Sequence, residues 1–306
     1  MGKRVGGVLL ALAAGALASI FWRGSHAAGA KPAAGLPVGT SMSWMEEEKG
    51  AEAGPMAIYY YRPLSWKRDH SVFIAFSGFE RDAECFRNEL ASMADTYGVL
   101  VACPEFTDKK FPSACWYQEA NISDKDEIGG TIRKRSDWTF SVVDDVISEV
   151  LERSGARGKV ILFGHSAGGQ LMHRYSLLSG SAAADMVVAA NSGWFTMPDR
   201  TIEFPYGLKH MPVSDELLSE SFKQPALILL GGDDVRRGKV FRKTPEAEAQ
   251  GKNRMERGRA YFARCKKMSA HLVVELQWKL DVVAGVGHDG KGMAEGAMAI
   301  LSKRGF

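Results

Sequence analysis

The sequence predicts an α/β fold built on a mainly parallel sheet with helices covering both faces. Short apolar runs alternate with helical patterns of about 10 to 15 residues, the signature of βαβ units. Several of those runs are continuously apolar, as strands buried on both faces require.

Strands are expected at Ala57 to Tyr61, Val72 to Phe76, Val99 to Ala102, Val160 to Phe163, Met186 to Ala190, Ala226 to Leu230 and Val282 to Val286. Helical patterns fall at Ala83 to Tyr97, Trp138 to Arg153, Ala167 to Leu178, Arg254 to Met268 and Met293 to Leu301. Two stretches break the alternation. Residues 104–137 form a long irregular connection, and 192–224 is an insertion rich in Pro, Gly and aromatics. Long connections in small domains usually carry binding or covering functions.

The first residues differ from the rest of the 306. Lys3 and Arg4 precede an apolar run from Val5 to Phe21, and no acidic residue comes before Glu46. Small residues at Ser25 and Ala27 suit a cleavage site, so 1–27 reads as a signal peptide, with an uncleaved membrane anchor as the alternative. Residues 28–55 read as a flexible N-terminal tail, and 56–306 as one catalytic domain. The predicted location is outside the cytoplasm, periplasmic or extracellular.

The formal charge of +3 equals the contribution of Lys3, Arg4 and Arg23, leaving the body near neutral and without the basic footprint of a nucleic-acid binder. Cys85, Cys103, Cys115 and Cys265 would meet an oxidising compartment after export, where they allow three pairings. No Cys-x-x-Cys pair or His/Cys cluster suggests a metal, and no cofactor is expected.

The chemical signal is Gly164-His165-Ser166-Ala167-Gly168, placed directly after a predicted strand and directly before a predicted helix. In that context Gly-x-Ser-x-Gly marks a nucleophile elbow, where a tight turn exposes the hydroxyl and the helix N-terminus faces the developing oxyanion. Serine is a poor nucleophile at neutral pH and needs a base that an acid orients. On such a sheet the acid and then the histidine follow the serine in the chain. His288, just past the run Val282 to Val286, suits the base better than His271, which begins an apolar run. The turn Gly231-Gly232-Asp233-Asp234 offers two acids, of which Asp234 is preferred. Backbone N–H groups of Ala167 and Phe79, the latter in the turn after Val72 to Phe76, are the expected oxyanion donors.

These stretches resemble bacterial α/β-hydrolases related to dienelactone hydrolases and poly(3-hydroxybutyrate) depolymerase-like esterases. The similar segments are Phe76 to Arg81, Ala102 to Phe106, the elbow through Arg174, Asn191 to Trp194, Phe204 to Leu208, Leu230 to Asp234, Gln250-Gly251 and Gly285 to Gly290. Where members carry His-Gly, this chain has Ser77-Gly78. The resemblance implies the α/β-hydrolase fold, with the insertion lid-like between what that fold counts as its sixth and seventh strands. It also implies Asp234 as the acid and hydrolysis of a small or polymeric carboxylic ester without a metal. A membrane is a partner only if the N-terminal segment stays uncleaved. A peptidase or amidase on the same three residues and a non-catalytic binding protein are the competing expectations.

Ligands on open α/β sheets gather at the carboxyl ends of the strands. The segments after Ala190 and Cys103 should therefore overhang Ser166. Trp194, Tyr206 and Tyr117 are the expected pocket residues, with Phe195, Phe204, Phe106, Phe111 and Trp116 near them. Few basic residues lie beside these aromatics in the sequence, which predicts a neutral acyl group.

Overall fold

The apolar runs form one sheet. In the computed structural model, which describes residues 2 and 35–306, eight strands are present among those residues. They are β1 (Gly39–Met45), β2 (Met56–Arg62), β3 (Val72–Phe76), β4 (Leu100–Pro104), β5 (Val160–His165), β6 (Met186–Ala190), β7 (Ala226–Gly231) and β8 (Lys279–Val283). Their spatial order is β1-β2-β4-β3-β5-β6-β7-β8. β2 runs antiparallel to β1 and β4, and every other neighbouring pair is parallel. The fold is the α/β-hydrolase fold. Apart from Gly2, the predicted signal segment lies outside the described residues.

Period-two alternation along fully buried strands makes two cores. Val72, Ile74, Phe76, Leu162, Ile228 and Leu230 face one side. Against them pack α4 (Phe140–Ser154), α5 (Ala167–Leu178), α6 (Asp215–Lys223) and α8 (Arg254–His271). Phe73, Ala75, Ile161, Phe163, Leu227 and Leu229 face the other side. There they meet α1 (Ala83–Glu89), α2 (Ala91–Tyr97) and α9 (Gly290–Ser302). Two short helices, α3 (Ser113–Trp116) and α7 (Pro245–Gln250), lie in connections. Burial on both faces explains why these strands carry no polar alternation.

Four expectations change. The segment 28–55 is not wholly a tail, because β1 pairs with β2 along its length. Along β1, Ser43 and Met45 point inward, Ser43 Oγ sitting 3.2 Å from the Tyr60 hydroxyl, while Met42 and Trp44 face solvent. The helix expected over Ala83 to Tyr97 breaks at Leu90 into α1 and α2. The insertion holds a real helix, α6, whose first turn is capped by Ser214 accepting from Leu217 N. β8 lies three residues earlier than the run Val282 to Val286, so His288 hangs five residues beyond the strand.

β3 hydrogen-bonds to β4 on one side and β5 on the other, the point where the strand order reverses and where open α/β sheets form their ligand crevice. Ser166 follows β5 and the turn Ser77-Gly78-Phe79 follows β3.

Candidate active site

The chain turns from β5 into α5 within one residue. Ser166 takes φ 57° and ψ −109°, a conformation rarely populated by a side-chain-bearing residue. Two glycines make that turn possible. A Cβ on Gly164 would stand 2.2 Å from the Gly168 carbonyl oxygen, and one on Gly168 the same distance from that of Phe76. No larger residue fits either place. The elbow is also tied down from outside, since Ser166 N donates to Ala190 O and Gly168 N to Ser77 O.

Ser166 Oγ lies 2.9 Å from His288 Nε2, and His288 Nδ1 lies 2.7 Å from Asp234 Oδ2. The three residues named from the sequence are thus brought together, in the order nucleophile, base, acid. Asp234 is 2% exposed, whereas its neighbour Asp233 faces solvent. His271 ends α8 and lines a separate surface cavity with Pro198 and Arg200.

What holds the base and acid in register was not foreseen. Asn191, the first residue after β6, accepts from Gly231 N through Oδ1 (2.7 Å) and donates from Nδ2 to Gly287 O (2.9 Å). One amide therefore joins the acid-bearing turn to the histidine loop. Asp233 N donates to Val286 O and Gly232 N to Val283 O, closing the same junction. Arg254, at the start of α8, places Nη1 3.1 Å from Asp234 Oδ1, leaving the other carboxylate oxygen for His288. These contacts join positions 20 and 96 residues apart in sequence, so no local pattern signals them. His165 packs its ring 4.6 Å from that of His288 and, chiefly through burial and secondarily through the charges of His288 and Arg254, is held well below the usual histidine range.

The amides of Phe79 and Ala167 have no hydrogen-bond partner among the described residues. The Phe79 loop is fixed by its own carbonyl: Ser77 O accepts from Gly168 N at 3.1 Å and from the Tyr117 hydroxyl at 2.6 Å.

Tyr117 corrects an expectation. It is 1% exposed, with its ring against Phe106 and beneath the Arg81 guanidinium, and it lines neither cleft at Ser166. Tyr206 is also buried, bonded to Thr244 and packed on Trp194, and it too lies off both clefts. Both residues are internal packing. Trp194 does line a cleft with Ser166. Tyr117→Phe should lower stability by about 1 kcal/mol, the worth of one buried hydrogen bond, and the melting temperature by about 2 °C. An unchanged or raised midpoint in thermal unfolding would show that the Ser77 contact contributes nothing.

The surroundings of Trp194 are also more basic than its neighbours in sequence suggest. Arg174 lies 4.4 Å and Arg242 4.8 Å from the Trp194 ring, and Arg242 also reaches Tyr206. Beside them Glu119 is fully buried, and burial pushes its carboxyl up to about 7 against the pull of Arg174 and Arg242. All four cysteines are free, three of them buried.

A serine on a strand-to-helix elbow, an acid after β7 and a histidine after β8, all at the carboxyl edge of this sheet, define the α/β-hydrolase class. The comparisons agree. A poly(aspartic acid) hydrolase from Sphingomonas sp. KT-1 superimposes with TM-score 0.79 at 30% identity, the match covering 87% of this chain and 100% of that one. A poly(3-hydroxybutyrate) depolymerase from Bordetella parapertussis gives TM-score 0.79 at 29% identity, over 88% of this chain and 91% of that one. A fluorophosphonate-binding serine hydrolase from Staphylococcus aureus shares the fold at 12% identity and TM-score 0.52, over 87% of this chain and 98% of that one. No family model and no curated protein matches the chain. The chain belongs to the α/β-hydrolase family that the first two structures represent, and it is a hydrolase.

Proposed function

We propose that the protein cleaves carboxylic esters through an acyl-enzyme on Ser166. The observation that carries this reading is the unbroken chain from Ser166 Oγ to His288 Nε2 (2.9 Å) and from His288 Nδ1 to buried Asp234 (2.7 Å). His288 takes the hydroxyl proton as Oγ attacks the ester carbonyl, and Asp234 stabilises the imidazolium that results. The carbonyl oxygen becomes an oxyanion facing the unpaired amides of Phe79 and Ala167. His288 then returns the proton to the departing alcohol. Water enters, His288 activates it in the same way, and the acid leaves with Ser166 restored.

Amide cleavage passes through the same intermediates. It is the second reading because one relative, 30% identical, is a poly(aspartic acid) hydrolase. The two are separated by a panel of p-nitrophenyl esters and peptide anilides, with labelling of Ser166 by a fluorophosphonate as the control for an active nucleophile. The expected result is labelling together with kcat/KM for esters well above that for anilides. Anilide turnover equal to or above ester turnover would overturn ester specificity, and an unlabelled Ser166 would overturn the mechanism.

Export belongs to the same reading and rests on Lys3, Arg4 and the apolar run after them. Among the described residues no helix is long and apolar enough to cross a membrane.

A further inference from the structure

The sheet ends in an unguarded strand. β1 pairs with β2 along its whole length, Gly39 to Met45, and among the described residues no strand lies on its other side. Such an edge presents a row of N–H and C=O groups with no strand partner, which proteins usually protect with a charge, a proline or a bulge. β1 has none of these. Its sequence, Gly-Thr-Ser-Met-Ser-Trp-Met, holds no charge and no proline, and its register with β2 runs without interruption.

The side chains beside that edge are apolar and in water. Val38, Met42 and Trp44 are exposed, Trp44 over 56% of its surface, and so is Leu64 in the turn after β2. Exposed apolar groups gathered in one place mark a contact surface.

Charge is laid along the same strand with a direction. At its start, Gly39 lies opposite Arg62, whose Nη1 donates to Leu36 O at 2.8 Å. Arg68 is exposed at the same end, where a Cβ on Gly35 would stand 4.0 Å from its Nη2. Just past the other end, Glu46 and Glu48 are exposed. None of the four forms an ion pair among the described residues.

A strand that is positive at one end, negative at the other and bare along its edge is complementary to itself. A twofold axis through its midpoint sets two copies antiparallel, edge to edge. The glutamates of each protomer then lie against Arg62 and Arg68 of the other, and Met42, the central residue of β1, falls beside the axis. An anionic lipid surface would meet the same tryptophan but be repelled by Glu46 and Glu48. No residue of β1 lines either cleft at Ser166.

We infer that the protein forms a twofold dimer by antiparallel pairing of β1 with β1, joining two eight-stranded sheets into one continuous sheet.

The test is sedimentation of the full chain across micromolar concentrations, with hydrogen exchange on the same samples. The expected result is a mass near twice 33.4 kDa that falls toward 33.4 kDa on dilution, with slower exchange of the Thr40 to Trp44 amides in the dimer. Met42→Lys sets two like charges beside the axis and should raise the dissociation constant by at least about tenfold. Charge reversal is the second arm, and it decides the matter should Met42→Lys fail to fold. E46K/E48K and R68E should each weaken the pair several-fold, most at low salt, and the combined E46K/E48K/R68E should recover most of that loss. A wild-type chain that stays monomeric throughout overturns the inference, whether or not it binds anionic vesicles. A dimer that these substitutions leave unchanged also overturns it, because its contact would then lie elsewhere, as in the apolar run Val5 to Phe21.

Discussion

Ser166→Ala should lose roughly five to six orders of magnitude in kcat, the scale seen when the nucleophile of such a relay is removed, while remaining folded. The fold should tolerate the change because the Ser166 side chain makes one hydrogen bond, to His288 Nε2. The strained backbone at φ 57° is imposed by Gly164 and Gly168 and by the bond from Ser166 N to Ala190 O, none of which involves the hydroxyl. Alanine keeps the same Cβ in the same place. The measurement pairs steady-state rates with a melting curve and fluorophosphonate labelling. Wild-type turnover in Ser166→Ala would sink the mechanism, and a collapsed melting curve would show that the hydroxyl is structural.

Asp234→Asn should cost about 10⁴ in kcat, because the amide holds the imidazole in the wrong tautomer and no longer balances its charge. Here a stability loss is also expected. Arg254 and Asp234 are a buried pair, with side chains 7% and 1% exposed, and neutralising one partner leaves the guanidinium without its counter-charge. Asn can still accept from Arg254 Nη1, so the loss should stay below the roughly 3–5 kcal/mol of a fully broken buried pair. Asp233→Asn is the control. Its side chain is exposed and engages no protein group, so rates and melting temperature should hold. Equal losses from both substitutions would remove the distinction, and a larger loss at Asp233 would reverse it.

The parts of this site written in the sequence are those whose cause is local. Gly164 and Gly168 announce the elbow because steric exclusion acts within five residues, and His288 and Asp234 follow from strand ends that apolar runs make visible. Arg254 and Asn191 were not legible, since each acts on a partner reached only after the sheet is assembled. The aromatic segments misled for a related reason. Tyr117, Tyr206 and Trp194 look alike as large residues in irregular loops, and only packing decides that the first two are interior while the third borders Ser166. β1 was missed because one of its two buried positions is Ser43, bonded to Tyr60, while the apolar Met42 and Trp44 face solvent, so apolar residues do not mark a single face. The basic character near Trp194 was hidden as well, Arg174 coming from α5 and Arg242 from the loop before α7.

Asn191 is both the clasp between the acid turn and the histidine loop and the last residue before the chain departs for 34 residues on its way to β7. In chain order the segment therefore falls between the nucleophile Ser166 and its partners Asp234 and His288. Such a division separates aiming from lining: the segment between Gly193 and Pro225 gives Trp194 to the cleft beside Ser166 and α6 to the core, while Asn191, outside it, keeps the strand ends that aim the proton in step.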